Sequence, residues 1–405
     1  MAVNPRPLPD FHVIDGVRLG VACAGIKSAE RNDLVVMEIV EGSETAGVFT
    51  RNSFRAAPVV LAEKALASTS PRYLMINTGN ANAGTGQQGM DDAAHCCRAL
   101  ASACGVQPDQ VLPFSTGVIG EPLPVDRICQ ALPNALADLR PEGWHNAASA
   151  IMTTDTLPKG ATRRLQINGK YVHLSGISKG AGMIRPNMAT MLAFVATDAA
   201  IPRNQLQALV SEACEASFNR ITVDGDTSTN DACVAVATGQ SPASVIDGSG
   251  EVLPVLREAM QDLFLELAHA IVRDAEGATR FVTVSVEQAR SEAEALAVAF
   301  TVAESPLVKT ALYAADPNWG RILAAVGRAG IDGLDVGRVT IFLDDVCIVE
   351  HGGRSPGYTE EAGQRVMDGA EPVIRILLGR GQAQECVWTC DLSHDYVTIN
   401  AEYRT

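Results

Sequence analysis

An α/β fold is predicted by three features of this 405-residue sequence. Short runs rich in branched and apolar residues alternate with alanine-rich runs along the whole chain. Hydrophobic residues make up 47% and charged residues 20%, which is enough apolar material for a core divided over two or three lobes. The connecting loops are unusually rich in Gly, Asn and Thr, and long loops of small polar residues are where sites are usually built.

The elements follow in order. DLVVMEIV (33–40), YLMIN (73–77), VLPFST (111–116), KYVHLSGIS (170–178), RVTIFLDDVCIVE (338–350) and VWTCDL (387–392) read as strands. MDDAAHCCRALASAC (90–104), NQLQALVSEACEASF (204–218) and the run from Glu251 to Ala275 read as helices. In the last, Leu253, Leu256, Met260, Leu263, Leu267 and Ile271 recur at spacings of three and four and form one apolar face.

Charge and composition exclude several classes. The formal net charge is -15, so the surface repels phosphate backbones and nucleic acid is not an expected partner. No apolar run approaches the ~20 residues needed to cross a bilayer. Prolines occupy the start, MAVNPRPLPDFHV, where an export signal needs its apolar stretch. Ten scattered cysteines include no CxxC pair and no Cys/His cluster with zinc spacing. Several, in apolar or small-residue contexts, read as buried free thiols in a reduced, cytoplasmic setting, and no metal is expected.

The usual catalytic signatures are missing. There are seven histidines but no GxSxG elbow, no HExxH helix and no GxxxxGK[ST] loop. Gly84 to Gly89 fits GxGxxG after a strand and before a helix, with Asp109 twenty residues beyond. Six residues, Thr78 to Ala83, separate that strand from the first motif glycine, whereas a dinucleotide turn is tight. Asp109 also precedes the next strand rather than ending it. A glycine-rich loop capping a helix is the expectation, with a nicotinamide site as the minor alternative.

The segment from Lys179 to Leu192 is the most informative. Its glycines and Pro186 give a bent approach, and MLAFVATDA after Thr190 reads as a buried apolar strand. A hydroxyl placed where a loop enters a strand can attack the preceding carbonyl. An N→O acyl shift at Ala189, then hydrolysis of the ester, leaves Thr190 with a free α-amine. That amine has an ordinary pKa of about 7.7–8.0 and can serve as base for its own hydroxyl, which answers the missing histidine. On local spacing alone, an ordinary strand threonine competes with this reading.

The wider pattern is more specific. KGAGMIRPNMATML, AGVFTRN (46–52), NTGNANAGTG (77–86), STGVIG (115–120), MTTDT (152–156), VDGDTSTND (223–231), DAEGATR (274–280), ADPNWGRI (315–322) and DYVTINAEYRT (395–405) resemble, in order, blocks of the glutamate N-acetyltransferase family, also called ornithine acetyltransferases. The resemblance covers essentially the whole chain. It implies a two-lobed α/β fold of the self-cleaving, N-terminal-threonine kind, cut into an alpha chain (1–189) and a beta chain (190–405). The alpha chain would carry the oxyanion hole and substrate-binding lobe, and the beta chain the nucleophile and a substrate-binding tail.

Residue by residue, Thr190 matches the threonine that cleaves the Ala189–Thr190 bond and then carries the acetyl group. Thr116 and Gly117 match the oxyanion-hole pair, worth roughly 3 kcal/mol each to a transition state. Lys179 matches a substrate-binding lysine, Thr153 or Thr154 a binding threonine, and Glu276 the acidic partner of the substrate amine. Asn400 and Thr405 match binding positions at the chain end. The family more often has lysine where this chain has Arg280. Asp226 to Asp231 and Asp316 to Arg321 match family blocks without an assigned role.

The resemblance implies acetyl transfer from N2-acetyl-L-ornithine to L-glutamate in arginine biosynthesis, with no metal or bound organic cofactor. Some members also take acetyl-CoA as donor, and the residues here leave that open. It further implies an assembly of two alpha and two beta chains. A self-processing acyltransferase or amidohydrolase acting on another amino-acid derivative is the alternative.

Overall fold

The computed structural model describes residues 2–185 and 191–402. Ala189, Thr190 and Thr405 therefore lie outside the described residues. In chain order the first half contains β1 (Val17–Ala22), β2 (Leu34–Ile39), β3 (Glu44–Phe49), α1 (Ala57–Ser68), β4 (Tyr73–Asn80), α2 (Gly86–Cys104), β5 (Val111–Val118), α3 (Val125–Ala137), α4 (Trp144–Ala150), β6 (Lys159–Ile167) and β7 (Lys170–Lys179). It continues with β8 (Leu192–Thr197), α5 (Arg203–Ala216), β9 (Ala232–Ala237), α6 (Pro254–Arg273), β10 (Phe281–Ala289), α7 (Glu292–Ala303), α8 (Pro306–Tyr313) and α9 (Trp319–Gly327). β11 (Thr340–Leu343), β12 (Val346–Glu350), β13 (Gly353–Arg354), α10 (Glu360–Met367), β14 (Val373–Leu377), β15 (Ala383–Cys390) and α11 (His394–Ala401) complete it.

The larger lobe has four layers. One sheet has the order β1-β2-β4-β5 and the other β3-β9-β8-β7-β6. Side chains alternate between faces along each strand, so each sheet feeds two cores. Val35, Met37, Leu74, Ile76 and Phe114 of the first sheet meet Ile177, Leu192, Phe194 and Val234 of the second. The rings of Phe114 and Phe194 make an edge contact across this layer at 5.1 Å between centroids. On its outer face the first sheet, through Leu34, Val36 and Met75, packs on α2 and α3. The outer face of the second, with Leu174, Val195 and Ala235, packs on α5 and α6. Leu256, Met260, Leu263, Leu267 and Ile271 are buried on α6 as their spacing predicts, while Leu253 precedes the helix.

The second lobe is a six-stranded sheet, β13-β12-β11-β14-β10-β15, with α7 and α9 against its apolar face. Here the run 338–350, read as one strand, is a hairpin: β11 and β12 pair antiparallel, and Asp344 takes φ 49 in the turn. Aspartate tolerates that left-handed geometry, which a count of apolar residues does not register.

One organisational expectation is corrected. The division into 1–189 and 190–405 does not separate two lobes. β3, β6 and β7 from the first part share a sheet with β8 and β9 from the second, and Lys179 pairs with Leu192 across β7 and β8. β8 is the middle strand, and all six of its residues are buried. Sheet hydrogen bonds and two cores would thus hold the parts together across a cut. The true division falls after α6.

Candidate active site

Seven of the residues singled out in the sequence line one cavity of about 280 Å³: Thr116, Gly117, Thr153, Thr154, Lys179, Glu276 and Asn400. They arrive from the end of β5, the segment after α4, the end of β7, the turn after α6 and the last helix. Met191 and Leu192, at the start of β8, line the same cavity. The chain leaving position 190 therefore borders it.

The floor is a close approach of two strands. β4 and β5 run parallel with Gly79 opposite Gly117. Gly117 has φ 136, and a Cβ there would lie 2.3 Å from the Gly79 carbonyl carbon. Only glycine fits. Beside it the buried Thr116 hydroxyl accepts a hydrogen bond from Lys179 Nζ at 3.2 Å. A hydroxyl has one proton to donate, and since Lys179 uses a lone pair, that proton is left for an oxyanion in the cavity.

Lys179 is held in place from behind. Asp155 Oδ1 accepts from Gly180 N at 2.7 Å and from Lys159 Nζ at 2.6 Å, and Asp155 Oδ2 accepts from Thr153 N at 3.0 Å. Lys159 Nζ also donates to Asp274 Oδ2 at 2.7 Å, and Asp274 accepts from the Thr156 hydroxyl. One carboxylate thus ties Thr153 to the Lys179–Gly180 corner. Burial alone would raise the Asp155 pKa, but the Lys159 and Lys179 ammonium groups and the Gly180 N–H hold it well below the usual carboxylate range. Burial draws the Lys179 pKa downward, opposed by Asp155, Asp231 and Glu276 and reinforced by Lys159.

Glu276 forms the opposite wall. Its N–H donates to Ala181 O at 2.9 Å. Its Oε2 accepts from Asn400 Nδ2 at 2.7 Å, which brings the C-terminal helix to the cavity as the sequence predicts. Gly182 makes room, because a Cβ there would come within 2.4 Å of the Glu276 carboxylate. Arg280 lies elsewhere: its side chain donates to Leu312 O and Gly369 O, so its charge does not act on Glu276 through contact.

The blocks without an assigned role now separate. In 223–231, Asn230 Nδ2 donates to Ala81 O at 2.6 Å and Ser115 O at 2.9 Å, joining the two sheets at the cavity. Asp224, just ahead of Asp226, accepts from Met183 N, Ile184 N and the Tyr396 hydroxyl. Asp231 lines the cavity. In 315–322 the Asn318 side chain caps α9 at Arg321 N, and Arg321 donates to Leu307 O, so this block is a helix start in the other lobe. The GxGxxG segment is the junction where the loop after β4 enters α2; its side chains fill the turn but Thr85 makes no side-chain cap, so the expected capping role is not seen. Asn82 Nδ2 donates to Gly89 O, and the Thr85 hydroxyl donates to Asn82 Oδ1. β4 runs three residues beyond its expected end at Asn77, which shortens that loop.

Asp155 and Asp231 were not named as site residues in the sequence reading. Both sit inside the matched blocks MTTDT and VDGDTSTND, and an acid inside a block of hydroxyl residues is the signal that could have pointed to them.

A cavity walled by a lysine, acids and hydroxyls, at the mouth of a four-layer α/β sandwich, defines an enzyme of group-transfer type with an interior polar site. The ArgJ family profile matches residues 18–405, and the chain belongs to that family. It is 56% identical over 406 aligned residues to the arginine biosynthesis bifunctional protein ArgJ of Pseudomonas fluorescens, covering 100% of both chains. The protein of the same name from Pseudomonas syringae pv. tomato matches to the same extent. Among solved structures, ArgJ from Bacillus halodurans is 37% identical, with a TM-score of 0.48 over 51% of this chain and 97% of that one. Ornithine acetyltransferase from Mycobacterium tuberculosis, solved with ornithine, is 30% identical, with a TM-score of 0.40 over 45% of this chain and 99% of that one.

Proposed function

We propose that this protein, an acetyltransferase of arginine biosynthesis by its family and its full-length relatives, moves acetyl from N2-acetyl-L-ornithine to L-glutamate through an acetyl ester on Thr190. The observation that carries the reading is the meeting of Thr116, Gly117, Thr153, Thr154, Lys179, Glu276 and Asn400 around one cavity that Met191 borders.

The chain first cuts itself at Ala189–Thr190. Thr190 Oγ, deprotonated by its own α-amine, attacks the acetyl carbonyl. The developing oxyanion accepts hydrogen bonds from the Thr116 hydroxyl and the Gly117 N–H. Lys179 holds a substrate carboxylate, and Glu276 with Asn400 faces its amine. Ornithine leaves, glutamate enters the same cavity, and its α-amine collects the acetyl group. By the family resemblance Thr405 is a further substrate-binding residue. The Pseudomonas relatives are called bifunctional, and we extend the reading to acetyl-CoA as a second donor for Thr190. The enzyme would act in the cytoplasm as two alpha and two beta chains.

The test is the intact mass of the purified protein with initial-rate kinetics. Fragments 1–189 and 190–405 and parallel lines in double-reciprocal plots are expected. One uncut but active chain, or intersecting lines, contradicts the mechanism. Thr190→Ala should stay uncut and inactive.

A further inference from the structure

Three carboxyl groups surround Lys179, and they differ in what occupies their oxygens. Asp155, behind Lys179, has both oxygens engaged by N–H donors. Glu276 gives Oε2 to Asn400. Asp231, at the entry to β9, is only 3% exposed and lines the cavity, and its buried Oδ2 has no hydrogen-bond partner among the described residues. A buried carboxyl oxygen without a partner costs the fold free energy, so an unfilled one on a residue that lines a substrate cavity marks a group that can change its proton or its partner.

The transfer itself needs such a group. Cleaving a secondary amide by a hydroxyl gives an ester and a neutral primary amine, yet an amino acid leaves and enters as its ammonium form. Each half-reaction therefore moves one more proton than the nucleophile and its α-amine exchange between them.

We propose that Asp231 is a further catalytic residue, whose carboxyl group lends a proton to the departing amine and recovers one from the incoming ammonium. In the first half-reaction the Thr190 hydroxyl proton passes to the amide nitrogen as the C–N bond breaks and the ester C–O bond forms. The amine then takes the Asp231 proton and leaves as the ammonium, and the Asp231 carboxylate faces the Lys179 ammonium. In the second, the glutamate α-ammonium returns one proton to Asp231, and the free amine attacks the ester. Its second proton goes to Thr190 Oγ as the ester bond breaks. Thr190 and Asp231 both end as they began, with no further reactant.

The surroundings suit this role. Burial raises the Asp231 carboxyl well above its ordinary value, with Ser228 and Lys179 offsetting only part. The charged group acting on it is Lys179 from β7; Glu276, from the turn after α6, lines the same cavity and acts on Lys179, as does Asp155 behind it. Burial thus favours the neutral carboxyl, and a cation is at hand when it ionises.

This proposal rests on the acetyl-transfer reading, and its test keeps the two apart. Single-turnover loading of Asp231→Asn is followed by mass with two donors, N2-acetyl-L-ornithine and p-nitrophenyl acetate, whose phenolate leaves without needing a proton. Loading from the amide should fall about 100-fold against wild type, a usual share for general acid catalysis, so the amide-to-ester rate ratio collapses. Deacylation by glutamate should slow as well and recover as pH rises and free amine becomes available. Equal losses with both donors, or no loss with either, overturn the proposal. If Asp231→Asn does not cut itself, the infrared difference spectrum of the wild-type enzyme decides. Loading from the amide should remove one protonated-carboxyl band that loading from the ester leaves in place, and a band unchanged by the amide overturns the assignment. Failure of the wild type to load from acetylornithine would instead refute the acetyl-transfer reading.

Discussion

The two walls around Lys179, the one behind it at Asp155 and the one that lines the cavity at Asp231, treat the same chemical group in opposite ways. At one, Asp155 is saturated: Lys159, Gly180 and Thr153 fill its oxygens, and the charge of Lys159 is shared with Asp274. At the other, Asp231 keeps a buried oxygen that no described residue fills. Both are buried aspartates near Lys179, so burial alone does not set their character. The saturated one is a strut and holds the site in shape, whereas the unsaturated one is free to change its proton.

The largest effect should come from breaking the strut. Asp155→Ala leaves Lys159 buried with only Asp274 as counter-charge. Removing one partner of a buried pair costs about 3–5 kcal/mol. Thermal unfolding should show a large drop in Tm, and any folded enzyme should have a raised KM, because Thr153 and the Lys179 corner lose their shared anchor. An unchanged Tm would mean that Asp274 alone carries Lys159 and that the two walls differ less than the contacts suggest.

A subtler test exchanges each acid for its amide and follows stability with pH. The native pKa of Asp155 is depressed, so its stabilisation is present above the unfolded value of about 3.9 and is lost as pH falls through the native value. Asp155→Asn should therefore be less stable than wild type at pH 7, and the gap should narrow in strong acid. The native pKa of Asp231 is raised, so the native state favours its protonated form. That preference is fully present below about 3.9, and the native state loses it as pH climbs through the raised value. Asp231→Asn should be at least as stable as wild type at pH 7, and the two should converge near pH 4. Matching shifts of Tm in one direction at pH 7 would erase the contrast between the walls.

Much of this was legible in the sequence, and the parts that were not share a cause. Periodicity placed α6 and the buried strand after Thr190, because an apolar face and a continuous apolar run are local properties. Ordered blocks gave the residues that meet at the cavity. What pattern could not show is which strands pair, so 189 looked like a lobe boundary although β7 and β8 are neighbours there. Asp155 and Asp231 stand in similar polar blocks. Only the partners supplied from elsewhere in the chain, Lys159 and Gly180 for one and an oxygen that no described residue fills for the other, tell them apart.

The chain end offers a mid-sized test of the same cavity. Asn400 donates to Glu276, and a hydrogen bond to a charged group contributes about 1.5–3 kcal/mol. Asn400 itself is exposed, which places its value toward the low end. Asn400→Ala should raise KM roughly tenfold with little change in Tm, and deleting 400–405 should raise it further. Unchanged kinetics after the deletion would remove the tail from the site.

The smallest expected effect sharpens the contrast from outside. In the second lobe Arg375 and Glu287 form a two-bond ion pair at 2.5 and 2.9 Å, with the Arg375 side chain 42% exposed. By distance it matches the Lys159–Asp155 contact. By position it does not, because water competes for both charges and screens them, which leaves such pairs worth about 0–1 kcal/mol. The Arg375 hydrogen bond lowers the Glu287 pKa, so whatever the pair contributes is present above the unfolded carboxylate value and fades in acid. Glu287→Gln should shift Tm by a degree or two at most and leave KM and self-cleavage untouched. A loss at Glu287 as large as that at Asp155 would mean that contact distance, rather than the exclusion of water, governs charge in this fold.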